Sequence, residues 1–146
     1  SVAGAQGLMQ IMPATAKWIA RQMGLKKNAH KEVAKPETNI RFGTFYLKRI
    51  FDDLDQSAVL ATAGYNAGPG RARKWQADVP LEGAIYVESI PFAETREYVK
   101  KVQANAMFYR DRFGGASQSL KDRLGVIPAR KIKITPDQEE TAPLAE

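Results

Sequence analysis

Three short stretches concentrate the side chains of this chain that could hold or act on a ligand. In the first, Gly4-Ala5-Gln6-Gly7-Leu8-Met9-Gln10-Ile11-Met12-Pro13, a single amide, Gln10, sits inside an apolar run. Its side chain offers a donor and an acceptor to a neutral ligand rich in amides and hydroxyls, and the thioether of Met12 gives adaptable contact to a ring face. Composition alone equally allows a core plug in which Gln10 is buried and satisfied. The second stretch, Gly64-Tyr65-Asn66-Ala67-Gly68, sets a phenol beside an amide between glycines. Turn chemistry accounts for Asn66. It does not account for Tyr65, whose hydroxyl can donate to a carboxylate or sugar oxygen while its ring lines a groove. The third stretch, Ile90-Pro91-Phe92-Ala93-Glu94-Thr95-Arg96-Glu97-Tyr98-Val99, carries two acids. Glu97, followed at helical spacing by Lys100 and Lys101, reads as solvated. Glu94 reads as the inward one, either a helix-dipole acid or a buried, hydrogen-bonded acid of a polar network.

The elements that must position these groups are helical. Two glycines three apart suit a turn with positive φ or a close approach, and Pro13 suits the first turn of a helix that begins at Met12 or Pro13. That helix carries Ala14, Trp18, Ile19 and Met23 and stops at Gly24. Residues 25–35 read as a lysine-rich loop, and Pro36-Glu37-Thr38-Asn39 starts a second helix whose apolar face is Ile40, Gly43, Leu47, Ile50, Phe51 and Leu54. Ser57 caps a third, built from small residues that let neighbours approach closely. Pro69 begins a fourth that runs to Trp75.

A turn at Asp78-Val79-Pro80 leads to a helical piece around Leu81 to Val87. Pro91 opens the longest segment, with Tyr98, Val102, Ala106, Tyr109 and Phe113 on one stripe and Gly114-Gly115 at its end. A short helix, Ser119 to Leu124, follows. No segment has the length and alternation of a sheet strand. The expectation is a compact all-α domain over residues 1–125 and an irregular C-terminal tail over residues 126–146, extended or disordered unless it docks on a partner.

Composition narrows the chemistry. The chain has 146 residues and no cysteine, which removes disulfides and thiolate catalysis. Its only histidine, His30, lies in a polar run without ligand spacing and reads as a surface residue, so neither a metal site nor a cofactor is expected. No run approaches the length of a membrane span. Twenty-two basic against sixteen acidic side chains give a formal charge of +6, which favours anionic partners. The densest basic group, Arg71, Arg73 and Lys74 beside Trp75, could serve nucleic-acid binding. A solvated helix face is the commoner meaning, and no nucleic-acid partner is expected.

Taken together, Gly-Leu-Met-Gln, Tyr-Asn-Ala-Gly and Glu-Thr-Arg-x-Tyr-Val, in this order and helical setting, closely resemble the catalytic domain of the soluble lytic transglycosylases. The resemblance covers roughly Ser1 to Arg130 and implies a lysozyme-like fold nearest to goose-type lysozyme. It further implies cleavage of the β-1,4 bond from N-acetylmuramic acid to N-acetylglucosamine in peptidoglycan without added water, leaving a 1,6-anhydromuramoyl end. In the family one glutamate protonates the leaving oxygen and then acts as base toward the C6 hydroxyl, which calls for a raised pKa. By position, Gln10 and Met12 would line the glycan subsites, Ser1 would meet the N-acetyl region, and Tyr65 would hydrogen-bond the glutamate. Asn66 and Glu94 would complete the polar network.

The family's acid–base glutamate, in a Glu-Ser pair upstream of the serine that matches Ser1, has no counterpart in this sequence, and no other acid replaces it by motif. The resemblance therefore implies a domain that is inactive until that glutamate segment is present; the alternative is a non-catalytic glycan-binding remnant. Peptidoglycan strands are the expected partner, and the N-terminal part of the same protein is a candidate second one. No integral membrane segment is expected. The implied location is the periplasm, with an outer-membrane anchor, where there is one, in the N-terminal region.

Overall fold

Proline and serine set the helix starts. In a computed structural model, which describes residues 4–131, helices α1 (Pro13–Gln22), α2 (Pro36–Asp53) and α4 (Pro69–Lys74) open on proline. There the missing N–H costs nothing and the fixed φ is already helical. Helices α3 (Ala58–Ala67) and α7 (Leu120–Leu124) open on serine caps. The Ser57 and Ser119 hydroxyls accept from the backbone N–H of Leu60 and Asp122 at 3.2 and 3.0 Å. Between them lie α5 (Gly83–Ser89) and the longest helix, α6 (Ala93–Arg112).

Helix α3 is the axis of the domain. Val59 to Gly64 are all buried along it, an apolar girth that only a helix surrounded by others can carry. Around it Ile50 of α2 and Leu54 just past its end, Ala72 of α4, Tyr86 and Val87 of α5, and Val99 of α6 form one apolar cluster. The Tyr86 hydroxyl, fully buried, donates to the Ala72 carbonyl at 3.0 Å, so the polar end of the largest core side chain is satisfied. A second cluster joins Ile11, Ala16, Ile19, Ala20, Val33 and Phe42. Tyr46 of α2 packs against both clusters.

The class expected from sequence, all-α, holds. Four local readings do not. The buried side of α2 is Asn39, Phe42, Gly43 and Ile50, while Ile40 and Leu47 are exposed. That side is shifted round the helix because a polar side chain, Asn39, takes an inward position. The buried stripe of α6 is Thr95, Val99 and Gln103, and Tyr109 and Phe113 are exposed. Here too the inward row is partly polar: Gln103 donates to the Ala58 carbonyl and the Thr62 hydroxyl and accepts from Arg123 Nε.

Within residues 25–35 a 3₁₀ turn, Ala29–Glu32, replaces plain loop and half-buries His30, whose Nδ1 is shielded without a hydrogen-bond partner among the described residues. Finally, the first part of the expected tail over residues 126–146, residues 126–131, packs on the domain, and the remainder lies outside the described residues. Strand β1 (Leu81–Glu82) pairs antiparallel with β2 (Val126–Ile127), and Ile127 is buried in the main cluster. Arg130 then pairs with Asp78 at 2.7 Å, and Lys131 pairs with Asp55. Two-residue strands are too short to leave a period in the sequence.

Candidate functional site

The first site stretch folds into a tight loop closed on itself. Gln6 and Ile11 exchange both backbone hydrogen bonds at 3.0 Å, and the Gln10 N–H donates to the Gly7 carbonyl at 3.1 Å. Gly7 turns the chain at φ 70°, and Gln10 itself sits at φ 48°, a left-handed conformation unusual for a side chain of its size. Its Nε2 donates to the Gly7 carbonyl at 2.8 Å. This intraloop bond helps hold Gln10 exposed and leaves its side-chain oxygen free to accept from a ligand.

Asn39 anchors this loop from beneath. Its Oδ1 accepts from the Met9 N–H at 2.6 Å, and its Nδ2 donates to the carbonyls of Gln6 at 2.9 Å and Val33 at 2.8 Å. The close fit needs two glycines. A Cβ on Gly7 would fall 2.3 Å from the Asn39 amide, and one on Gly43 would fall 2.5 Å from Met9 Cβ.

The loop and the end of α3 form the two walls of a cleft of about 210 Å³. Gln10, Met12 and Thr15 line one wall; Tyr65, Asn66 and Ala67 line the other, with Tyr46 between. The structure thus brings together Gln10, Met12, Tyr65 and Asn66, which sequence places in two distant stretches. Gln10 is not the buried plug that composition also allowed. Ser1 lies outside the described residues.

Tyr65 closes the cleft from α3. Its hydroxyl donates to the Met9 carbonyl at 2.8 Å, so Met9 is gripped at its N–H by Asn39 and at its oxygen by Tyr65. The Tyr65 ring packs on Tyr46 at 5.6 Å between centroids, and Tyr46 packs edge-on against Trp18 at 5.9 Å. Burial, reinforced by the nearby phenols of Tyr98 and Tyr46, pushes the Tyr65 hydroxyl up to about 12 from its ordinary value of 10.0. Tyr65 is therefore a neutral phenol at neutral pH. The raised value means that the unfolded chain ionises first, so the stability contributed by Tyr65 is complete below pH 10.0 and is lost as pH rises toward 12. Alkaline titration followed at the tyrosinate absorbance should show a late-ionising fraction, and Tyr65→Phe should remove part of it. A normal titration of every tyrosine would contradict this environment.

Glu94 does not join the cleft. It is exposed in the first turn of α6, and its carboxylate has no hydrogen-bond or ionic partner among the described residues. Its neighbour Thr95 is the inward residue, buried and donating to Asn66 Oδ1 at 2.7 Å. One residue is about 100° of helix rotation, so the two swap faces and a hydroxyl, not an acid, fixes the Asn66 amide. Sequence reasoning also missed Tyr46, Thr15 and Asn39. The spacing Asn39, Phe42, Tyr46, Ile50 is helical and was available as a signal for Tyr46; nothing local distinguishes Asn39 from an ordinary polar residue of a helix start.

Fold and cleft define an all-α, lysozyme-like domain whose groove is lined by amide, phenol and thioether groups. The sequence matches the Transglycosylase SLT domain family over residues 1–85, and residues 89–118 match the soluble lytic transglycosylase helical domain. The chain belongs to the SLT transglycosylase domain family. It is 40% identical over 125 residues to the soluble lytic murein transglycosylase of Salmonella typhimurium, a match covering 84% of this chain and 19% of that protein.

Among solved structures, an inactive mutant of the lytic transglycosylase Slt from Pseudomonas aeruginosa is similar with a TM-score of 0.74 at 41% identity, over 80% of this chain and 19% of that one. The 70 kDa soluble lytic transglycosylase of Escherichia coli is similar with a TM-score of 0.72 at 38% identity, over 85% of this chain and 20% of that one. The chain spans about a fifth of the length of these relatives.

Proposed function

We propose that this domain binds peptidoglycan glycan strands in the cleft between the Gly4–Met12 loop and α3. With an acid–base glutamate supplied from upstream, it then cleaves the muramic acid to glucosamine bond non-hydrolytically to a 1,6-anhydromuramoyl end. The observation that carries this reading is the convergence of Gln10, Met12, Tyr65 and Asn66 on one cleft in a chain of this family. No acid lines that cleft among the described residues, and the Pseudomonas relative was solved as an inactive mutant. Gln10 and Asn66 are suited to the amides and hydroxyls of the sugars, and Met12 to a ring face. Ser1 is assigned to the N-acetyl region.

Tyr65 takes a defined part in this scheme. Its proton is committed to the Met9 carbonyl, so its oxygen is left to accept. Accepting from a protonated carboxyl group stabilises the neutral acid and raises its pKa, which is the state a general acid needs. The muramoyl N-acetyl group assists as the leaving oxygen is protonated, and the same carboxylate then takes the C6 hydroxyl proton. The periplasm is the compartment that this substrate implies.

The absence of a carboxylate from the described cleft also favours a second reading, a domain that holds glycan and never cuts it. Digestion of purified peptidoglycan separates the two. The chain extended upstream through the glutamate should release muropeptides one water lighter than hydrolysis products by mass spectrometry, and the 146-residue chain should release none. Anhydro products from the short chain would overturn the assignment of the acid. Silence from both, with glycan still bound, would leave the binding reading.

A further inference from the structure

On α6, Thr95 is only 2% exposed, and its hydroxyl donates to Asn66 Oδ1 at 2.7 Å. That hydroxyl has no other hydrogen-bond partner among the described residues. A buried donor without an acceptor is costly, and this need fixes the sense of the bond. Turning the Asn66 amide over would set its NH2 group against Thr95 Oγ1 and leave the threonine proton without an acceptor. Oδ1 is therefore committed to α6. Nδ2 is left for the cleft: Asn66 is exposed, lines that cleft, and its nitrogen has no hydrogen-bond partner among the described residues.

The facing wall carries the opposite polarity. Gln10 Nε2 is committed to the Gly7 carbonyl at 2.8 Å, which leaves the Gln10 oxygen to accept. Asn66 is committed at its oxygen, which leaves its nitrogen to donate. An amide free to turn offers either group to a ligand and must be ordered on binding. One held beforehand accepts only a ligand of matching polarity, and the cost of ordering it is already met by the fold.

We infer that Thr95 is a positioning residue of the cleft: its buried hydroxyl holds the Asn66 amide nitrogen toward the glycan, so that Asn66 donates to an acceptor oxygen of the strand. This rests on the glycan-binding reading above and adds the hydrogen-bond sense that the α3 wall selects and the residue that sets it. Thr95→Val keeps the branched shape of the side chain but removes the proton. The terminal torsion of Asn66, broad and roughly two-fold, then admits both orientations.

Titration of the 146-residue chain with uncleaved glycan strands tests this in a double-mutant cycle. Thr95→Val should weaken binding about threefold to tenfold, the range of one neutral hydrogen bond, with native circular dichroism. Thr95→Ser, which restores the proton, should bind as the wild type does. In an Asn66→Ala background Thr95→Val should have no further effect, which separates positioning from a general loosening of the fold. Asn66→Asp keeps the acceptor for Thr95 and removes the outward donor, so it should lose affinity in the same range. It leaves the core untouched and tests the hydrogen-bond sense even where Thr95→Val unfolds. Unchanged affinity in folded Thr95→Val or in Asn66→Asp, or an equal loss from Thr95→Val with and without the Asn66 amide, overturns the positioning role. Failure of the wild type to bind overturns the glycan reading, and the positioning role with it.

Discussion

Asn39→Leu is expected to lower the unfolding free energy by about 4 kcal/mol. Leucine keeps the branching of asparagine but leaves the Met9 N–H and the Val33 carbonyl without the partner that holds them, while the Gln6 carbonyl loses one of its two donors and keeps the Ile11 N–H. A buried backbone group stripped of its partner costs about 1–3 kcal/mol; two of these bonds are only partly buried, which places their cost at the lower end. Asn39→Asp keeps the acceptor for Met9 and loses both donated bonds, so it should be nearly as damaging. Urea unfolding followed by far-ultraviolet circular dichroism reads both, with the midpoint falling at an unchanged slope. A loss below about 1 kcal/mol, the size of one ordinary hydrogen bond, would mean that Asn39 does not anchor the loop. Glycan affinity should fall in the same variants, because Asn39 grips the Met9 N–H next to Gln10, which the loop holds at a φ of 48°.

Leu60→Ala should cost about 3 kcal/mol, within the range for emptying a buried leucine site. Leu60 is wholly buried in α3, and the helices packed around that axis limit how far the site can collapse. Against a total stability of about 5–15 kcal/mol for a domain of ordinary size, this is a large fraction. The same helix ends in Tyr65 and Asn66, so the surviving folded fraction should also bind glycan less tightly. Thermal unfolding with and without glycan measures both. A shift of under a degree would show that α3 is not the packing axis.

Helix starts were legible in the sequence because their causes are local: Pro13, Pro36, Pro69, Ser57 and Ser119 each act on the backbone beside them. So were the two cleft-wall stretches, whose glycines and amides stand out against apolar neighbours. Which way a helix faces was less legible, because polar residues occupy inward positions. Asn39, Thr95 and Gln103 are buried through hydrogen bonds to residues 29 to 45 positions away, and a reading that sorts by hydropathy sends them outward. Glu94 failed for that reason: the acid looked like the group worth burying, whereas the threonine beside it had the partner. The β1–β2 pairing was invisible because its register depends on a contact across 46 positions, Leu81 to Ile127.

The cleft walls belong to different apolar clusters: Ile11 and α1 on one side, α3 on the other, with Tyr46 touching both. Packing within each cluster is continuous, while the junction is made by helix α2, which carries Phe42 of one and Ile50 of the other, by Tyr46 and by the Tyr65–Met9 bond. Such a seam is where a domain opens in part before it opens as a whole. The amides of α1 should therefore exchange with solvent through a cheaper opening than those of α3. A sugar strand lying across the seam touches both halves at once and couples them: its binding energy is spent on closing the hinge, and the protection it confers appears in α1, on the loop side of the groove.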